Sequence, residues 1–234
     1  MDSSDIIGKE FNPQYAAPLS EQITEILTNS IIQGGLKEGQ RLVENELQRK
    51  FGISRGPIRE SFRILEKNGL VATKPRKGTY VRKISRKDIE DNFPIRAYLE
   101  GLAARLAISN LTSEDIQEME SALSKMTTEL RNHNFESHLK YHSEFHEIIC
   151  KASKNDTLIG IIQNLRLQAT WFRFSYVYLI PDSIEYAIDV HRRILNYLII
   201  KDPDGVEALM REHILITLNR FIRFLESQGM EDNR

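Results

Sequence analysis

The chain has 234 residues, enough for two modest domains, and a hydrophobic content of 41% that can support a packed core. The first ten residues show no basic start followed by an apolar run, and no stretch reaches the roughly 18 apolar residues of a membrane span. We therefore expect neither a signal peptide nor a membrane span, and predict a soluble protein of the cytoplasm. The lone Cys150 cannot form an internal disulfide, and its apolar neighbours indicate a small core residue rather than a nucleophile.

The net charge of −1 conceals two regions of opposite charge. Residues 1–87 contain 16 Lys and Arg against 10 Asp and Glu, a net charge of +6, whereas the remaining residues contain 16 against 23, a net charge of −7. DNA is a polyanion whose affinity for proteins comes largely from neutralised phosphates. The basic first region is therefore the one suited to DNA.

Two helices are predicted at the start of the chain. Apolar residues from Leu19 to Ile32 follow helical spacing until Gly34, which predicts a first helix of about 15 residues. Residues 44–51 are predicted as a short second helix, which Gly52 closes.

A third helix carries three arginines on one face. Ser54 stands where an N-cap would begin this helix, and Pro57 fits its first turn, where a backbone N–H has no partner within the helix. Arg55, Arg59 and Arg63 recur every four residues and so point the same way. A solvated helix face is the alternative interpretation of such a charge run.

A short basic hairpin follows the third helix. Gly69 ends the helix, and residues 70–73 and 79–81 are predicted as strands joined by a turn at residues 74–78. The first region therefore has the order helix, helix, turn, helix and wing.

The second region is predicted to be all α-helical, because no segment from Ser85 onward keeps a two-residue alternation. Thr112 and Asp115 have the spacing of a capping box at a helix start. Six helices with one apolar stripe each would form an antiparallel bundle whose interior can hold a cavity. They are predicted at residues 86–109, 113–131, 135–152, 156–178, 183–200 and 203–227.

All six histidines lie in this second region, and four of them are spaced to meet. His142 and His146 are one helical turn apart, so both imidazoles can coordinate one metal ion. His191 and His213 each lie among apolar positions of a later helix. A satisfied core histidine is the alternative for each of them taken alone. A zinc-protease motif does not fit, because Glu144 is two residues after His142 instead of one.

The first region resembles the winged-helix domain of the GntR family of bacterial regulators, over about residues 15–83. The resemblance lies in Arg41–Leu47, Phe51–Glu60 and Gly69–Val81. It implies that Arg55 and Arg59 enter the major groove, where a guanidinium can bond to guanine O6 and N7, while the wing lies near the minor groove and the DNA backbone. The DNA-binding residues predicted in this way are Arg41, Asn45, Ser54, Arg55, Gly56, Arg59, Arg76, Lys77 and Gly78.

Two positions depart from the family pattern. Gly56 replaces the usual threonine, and Asn45 replaces a basic residue that some members use at the DNA. The operator sequence is therefore not transferable from the family.

The second region resembles the FCD ligand-binding domain of the FadR branch of the same family, over about residues 88–228, and its length suggests the six-helix, VanR-like version. The resemblance lies in Arg96–Ala107, Phe145–His146, Ala152–Asn155, His191–Leu195 and His213. In metal-binding members an aspartate and three histidines hold Zn²⁺, Ni²⁺ or a similar ion, and a small carboxylate effector completes the coordination.

His146, His191 and His213 match the three histidines of that pattern, while His142 stands at the position of the aspartate. A neutral imidazole supplies one less negative charge than a carboxylate, so the site would favour Zn²⁺, Ni²⁺ or Cu²⁺ over Mn²⁺. The alternative is a site that has lost its metal, where the histidines bond an organic acid directly.

Three arginines are predicted to contact the effector. Arg96 lies where the family has its pocket arginine and could pair with a carboxylate, although a salt bridge to Glu100 at i+4 is the alternative. Arg166 and Arg173 lie on a helix that can face the cavity. The aromatic residues that begin at Trp171 are interpreted as core or subunit contact rather than a ligand cage.

We therefore predict a mostly α-helical protein, with a winged helix-turn-helix domain at residues 15–84 and a helical effector- and metal-binding domain at 85–228, between a flexible N-terminus (1–14) and a tail (229–234). It would be a homodimeric transcriptional regulator, a repressor and not an enzyme, that binds a palindromic operator in double-stranded DNA and responds to a small carboxylate. The alternatives are a metal sensor and a metal-dependent hydrolase.

Overall fold

The computed structural model describes residues 17–176 and 183–227, without the side chains of residues 173–176, 183–185 and 187. The end segments predicted at 1–14 and 229–234 lie outside these residues. The described chain divides into two compact units, one running to Ser85 and including Leu167–Ser175, the other formed by Arg86–Arg166 and the residues from Tyr176 onward. None of the described helices combines the length and the apolar character needed to cross a bilayer.

The first unit is a small helical domain with a three-stranded antiparallel sheet. Its strands lie in the order β1-β3-β2, with Arg41 opposite Tyr80 and Lys74 opposite Gly78. Strand β1 is absent from the sequence prediction, because two residues are too few to show an alternation. The elements are α1 (Leu19–Ile32), β1 (Arg41–Leu42), α2 (Glu44–Phe51), α3 (Arg55–Lys67), β2 (Val71–Lys74) and β3 (Gly78–Val81).

The ends of α2 and α3 explain the path of the chain between them. Gly52 ends α2 in the left-handed region, with φ of 65°, which glycine adopts without steric cost. Ser54 takes the extended N-cap conformation that begins α3, as the sequence predicts, although its side chain makes no capping hydrogen bond.

The second unit consists mainly of helices from the last two-thirds of the chain. Helix α4 packs along α9 and α5 packs along α6, and Phe93 meets Phe221 edge to face at 5.7 Å. The capping box is confirmed, because Thr112 and Asp115 bond reciprocally at the start of α5. The helices are α4 (Arg86–Ala107), α5 (Ser113–Arg131), α6 (Phe135–Ala152), α7 (Asp156–Tyr176), α8 (Ser183–Ile199) and α9 (Pro203–Ser227).

Helix α7 contributes residues to both units. The sequence assigns all of it to the second domain, whereas the structure groups Leu167–Ser175 with the first unit. The physical reason is Trp171, which is buried in the apolar core that also contains Ile23, Leu65 and Leu70. Trp171 is therefore a core residue, as its interpretation from sequence states.

Candidate metal centre and nucleic-acid interface

Four buried histidines meet in the interior of the second unit. His142 and His146 come from α6, His191 from α8 and His213 from α9, and each is at most 9% exposed. One ring nitrogen from each lies within 4.8 Å of those of the other three. The helical spacing on α6 and the apolar surroundings on α8 and α9 thus bring together the four residues that the sequence singles out.

The spacing of the ring nitrogens suits a single metal ion. His146 Nε2 lies 3.1 Å from His191 Nε2, and two nitrogens bound tetrahedrally to Zn²⁺ at about 2.0–2.1 Å would be about 3.3 Å apart. The ring of His213 lies 4.8 Å from that of His191, and the ring of His142 lies 4.6 Å from that of His146, measured between centroids. An all-imidazole set of this size fits Zn²⁺ or Ni²⁺ in charge and softness.

A buried carboxylate approaches the Nδ1 side of the His146 ring. Glu100 Oε2 lies 3.3 Å from His146 Nδ1, on the far side of the ring from Nε2. An ionised carboxylate only accepts protons, so it favours the tautomer with hydrogen on Nδ1 and a lone pair on Nε2. Metal-binding histidines are commonly supported by such a carboxylate.

Two arginines neutralise Glu100. Arg96 Nε lies 2.9 Å from Oε1, and an Arg166 Nη donates to Oε2 at 2.7 Å. Glu100 is 2% exposed and Arg96 5%. Burial alone would raise the pKa of Glu100, but the charges of Arg166 and Arg96, with a smaller effect from His146, hold that pKa well below its usual range. The residue is therefore an ionised carboxylate with two buried counter-charges.

The three effector arginines predicted from sequence are placed differently. Arg96 forms the ion pair with Glu100 that the sequence leaves open as the alternative, and Arg166 shares the same carboxylate. The side chain of Arg173 lies outside the described residues. The link from Glu100 to His146 is not among the sequence predictions. Its one sequence signal is a carboxylate between Leu99 and Gly101 in an otherwise apolar stretch.

Two further residues of the second unit belong to its packing. His138 Nδ1 lies 3.1 Å from the carbonyl oxygen of Met126, and His138 is not part of the four-histidine group. Cys150 is fully buried, as predicted, and burial raises the pKa of its thiol.

The arginines of α3 lie on an exposed surface of the first unit. Arg59 Nε donates to Glu44 of α2 at 3.0 Å and its side chain remains 60% exposed. Arg55 Nε donates to Gln48 Oε1 at 3.3 Å. Asn45, Ser54 and Gly56 are exposed beside them, at the starts of α2 and α3. Glu44 and Gln48 of α2 thus bind the two guanidinium groups that are predicted from sequence to contact DNA.

The wing carries the remaining predicted DNA contacts. Arg76 and Lys77 are exposed in the turn between β2 and β3, where Arg76 has φ of 61°. A Cβ on Gly78 would come 3.0 Å from Arg41 Nε, so glycine lets Arg41 lie against the wing. The structure therefore places Arg41 next to the turn, a proximity that its distance along the chain does not reveal.

Comparisons with known proteins match both regions. The family model "Bacterial regulatory proteins, gntR family" matches residues 19–81, and the model "FCD domain" matches residues 91–215. The HTH-type transcriptional repressor RspR of Escherichia coli is 28% identical over 209 residues, covering 89% of this chain and 90% of RspR. The Glc operon transcriptional activator of the same species is 28% identical, covering 91% and 92%. The solved structure of E. coli McbR/YncC has a similar fold, with a TM-score of 0.77 at 23% identity over 88% of this chain and 98% of McbR.

Removal of the charge on Glu100 tests whether this carboxylate is the counter-charge of Arg96 and Arg166. We expect Glu100→Gln to lower the free energy of unfolding by about 3–5 kcal/mol, because it leaves two buried guanidinium groups without a counter-charge. Glu147→Gln is the matched control, since Glu147 lies 3.9 Å from Arg166 and is 34% exposed, and it should cost less than about 1 kcal/mol. Urea unfolding followed by circular dichroism measures both, and equal losses would contradict this assignment.

Proposed function

The chain belongs to the GntR family of bacterial regulatory proteins and carries an FCD domain, and we propose that a small organic acid, bound at a metal ion in the second unit, controls its affinity for an operator. Its relatives are transcriptional regulators, so the protein is a DNA-binding regulator and the hydrolase alternative is wrong. The observation that carries the proposal is the buried group of four histidines with Glu100 behind His146. We further propose that the protein is a repressor and acts in the cytoplasm.

The DNA surface supports a homodimer on a palindromic operator. One recognition helix with Arg55 and Arg59 reads only a few base pairs, so useful specificity requires two copies on a two-fold site. In this proposal both guanidinium groups leave Gln48 and Glu44 and bond to guanine edges, while Arg41, Arg76 and Lys77 neutralise phosphates near the wing.

Substitution of the α3 arginines tests this surface. We expect Arg55→Ala and Arg59→Ala each to weaken operator binding by about 10- to 100-fold, because each removes a bidentate base contact. Arg131→Ala, which removes an exposed arginine from α5, should leave the affinity unchanged. Fluorescence anisotropy at fixed salt, with operator and scrambled duplexes, measures the effect. Wild-type affinity in both folded variants would contradict the assignment.

His142, His146, His191 and His213 are the proposed metal ligands. A bound divalent ion would supply positive charge for a carboxylate effector to bind. Glu100 keeps the Nε2 lone pair of His146 directed at the site. The burial of all four rings keeps water away from their nitrogens, which strengthens electrostatic interactions there.

The metal assignment makes a prediction about ion preference. Protein purified without an affinity tag should contain close to one Zn²⁺ or Ni²⁺ per chain, and His146→Ala should lose it. His142→Asp should shift the preference toward Mn²⁺, because a carboxylate is a harder and negatively charged ligand. Elemental analysis and competitive metal titration measure both. A metal content near zero after reloading with Zn²⁺ would contradict the assignment and favour histidines that bond an acid directly.

The effector proposal is tested by linkage. A ligand changes DNA affinity only through its different affinities for the two states of the protein. Operator affinity should therefore change by about 5-fold or more when the metal-loaded protein is saturated with the right acid. Titration of operator with sugar acids, aromatic acids and short carboxylates, with and without Zn²⁺, measures this. No change with any acid would contradict the proposal.

A metal sensor is the second candidate. Arg96 and Arg166 are the two predicted effector arginines whose side chains the structure describes, and both are paired with Glu100. Because neither is left to bind an acid, this pairing favours a metal sensor. In the same titration, an operator affinity that depends on Zn²⁺ but on no organic acid would identify the ion itself as the signal.

A further inference from the structure

Arg220 is a cation of the second unit that the sequence does not single out. It lies on α9 seven residues after His213, so the two side chains leave the same face of the helix two turns apart. Its guanidinium carbon lies 4.2 Å from the centre of the Tyr186 ring. That ring is stacked with His213, at 6.3 Å between centroids and an angle of 28°.

The pairing of Arg220 differs from that of Arg96 and Arg166. Those two arginines are bound to Glu100, whereas no carboxylate among the described residues forms an ion pair with Arg220. A guanidinium held over an aromatic face keeps its N–H groups, which lie in its own plane, directed outward to acceptors. Arg220 and Tyr186 are both half-buried, so an anion here would meet a partly desolvated cation.

The charges of the region favour a ligand with two carboxylates. The four histidines are neutral as ligands, and Glu100 is already paired with two guanidinium groups, those of Arg96 and Arg166. Among the described residues no carboxylate belongs to the histidine cluster or pairs directly with Arg220, and Glu212 and Asp189 act on the neighbouring Tyr186 without forming such a pair. Uncompensated charge in a poorly solvated site is costly, and a dianion would compensate both positions.

We propose, on the basis of the effector function above, that the ligand is a dicarboxylic acid: one carboxylate binds at the histidine cluster, and Arg220, positioned by Tyr186, binds the other. Tyr186 acts in two ways. Its ring holds the guanidinium of Arg220, and its hydroxyl can donate a hydrogen bond.

The test uses the full-length protein loaded with Zn²⁺ and isothermal titration calorimetry. The probes are malonate, succinate and glutarate, each against the monocarboxylate of equal carbon number: propionate, butyrate and valerate. The variants are Arg220→Gln and the matched control Arg223→Gln, which alters an exposed arginine three residues further along α9. Tyr186→Phe and Tyr186→Leu separate the hydroxyl from the ring.

We expect the wild type to bind at least one diacid about 10-fold or more tightly than its monoacid. Arg220→Gln should weaken diacid binding by about 10- to 100-fold at unchanged Zn²⁺ content, because it removes charge-assisted hydrogen bonds. Arg223→Gln should have no effect. Tyr186→Leu should weaken diacid binding more than Tyr186→Phe, because only the leucine variant lacks the ring under the guanidinium.

Four results would overturn the inference. If Arg220→Gln binds the diacid as tightly as the wild type, or if the wild type prefers the monoacids, Arg220 does not recognise the ligand, and the effector function stands. If Arg220→Gln loses Zn²⁺ together with the diacid, its role is structural. If the wild type holds Zn²⁺ but binds no acid of either series, and no acid alters operator affinity, the effector function itself fails with it.

Discussion

The interior of the second unit depends on one ionised carboxylate, Glu100. Arg96 on its own helix, Arg166 on α7 and His146 on α6 all approach its two oxygens within 3.3 Å. A lone buried carboxylate would be strongly disfavoured, and so would two lone buried guanidinium groups, so the three charges are stable only together. Since the same carboxylate faces Nδ1 of His146, the packing of three helices and the protonation of one metal-ligand candidate have a common cause.

The ion pairs of Glu100 determine which charges remain near the histidine cluster. The four members of the cluster are all histidines, so none of them is a carboxylate. Glu100, which lies 3.3 Å from His146, is paired with Arg96 and Arg166. A cation in the cluster would therefore draw its compensating charge from a bound anion, which couples the affinity for the ion to the affinity for the acid. Coupling of this kind is reciprocal, because each ligand strengthens the binding of the other by the same factor.

Local signals in the sequence predict most of the fold, and contacts between distant segments account for the rest. Gly52 and the capping box at Thr112 mark helix ends by interactions within a few residues, and the helices they delimit have the predicted bounds. Strand β1 exists only through its pairing with β3, and Trp171 is in the core of the first unit only because of tertiary packing. The four histidines could be found because helical spacing and apolar neighbours are visible in the sequence. The contact between Glu100 and His146 could not, since the two residues lie on different helices and no local pattern joins them.

If Arg59 contacts DNA as proposed, its pairing with Glu44 would affect how the protein searches a chromosome. Before any DNA is present, the guanidinium already has a carboxylate at 3.0 Å. A phosphate or base edge that binds Arg59 would compete with that carboxylate for the guanidinium, so the pair would lower the affinity for all DNA, matched or random. Nonspecific DNA sites outnumber operators by many orders of magnitude, so most molecules of a regulator are bound to nonspecific DNA. In the proposed DNA complex, Glu44 would therefore shorten each binding event on random sequence and return more molecules to free diffusion.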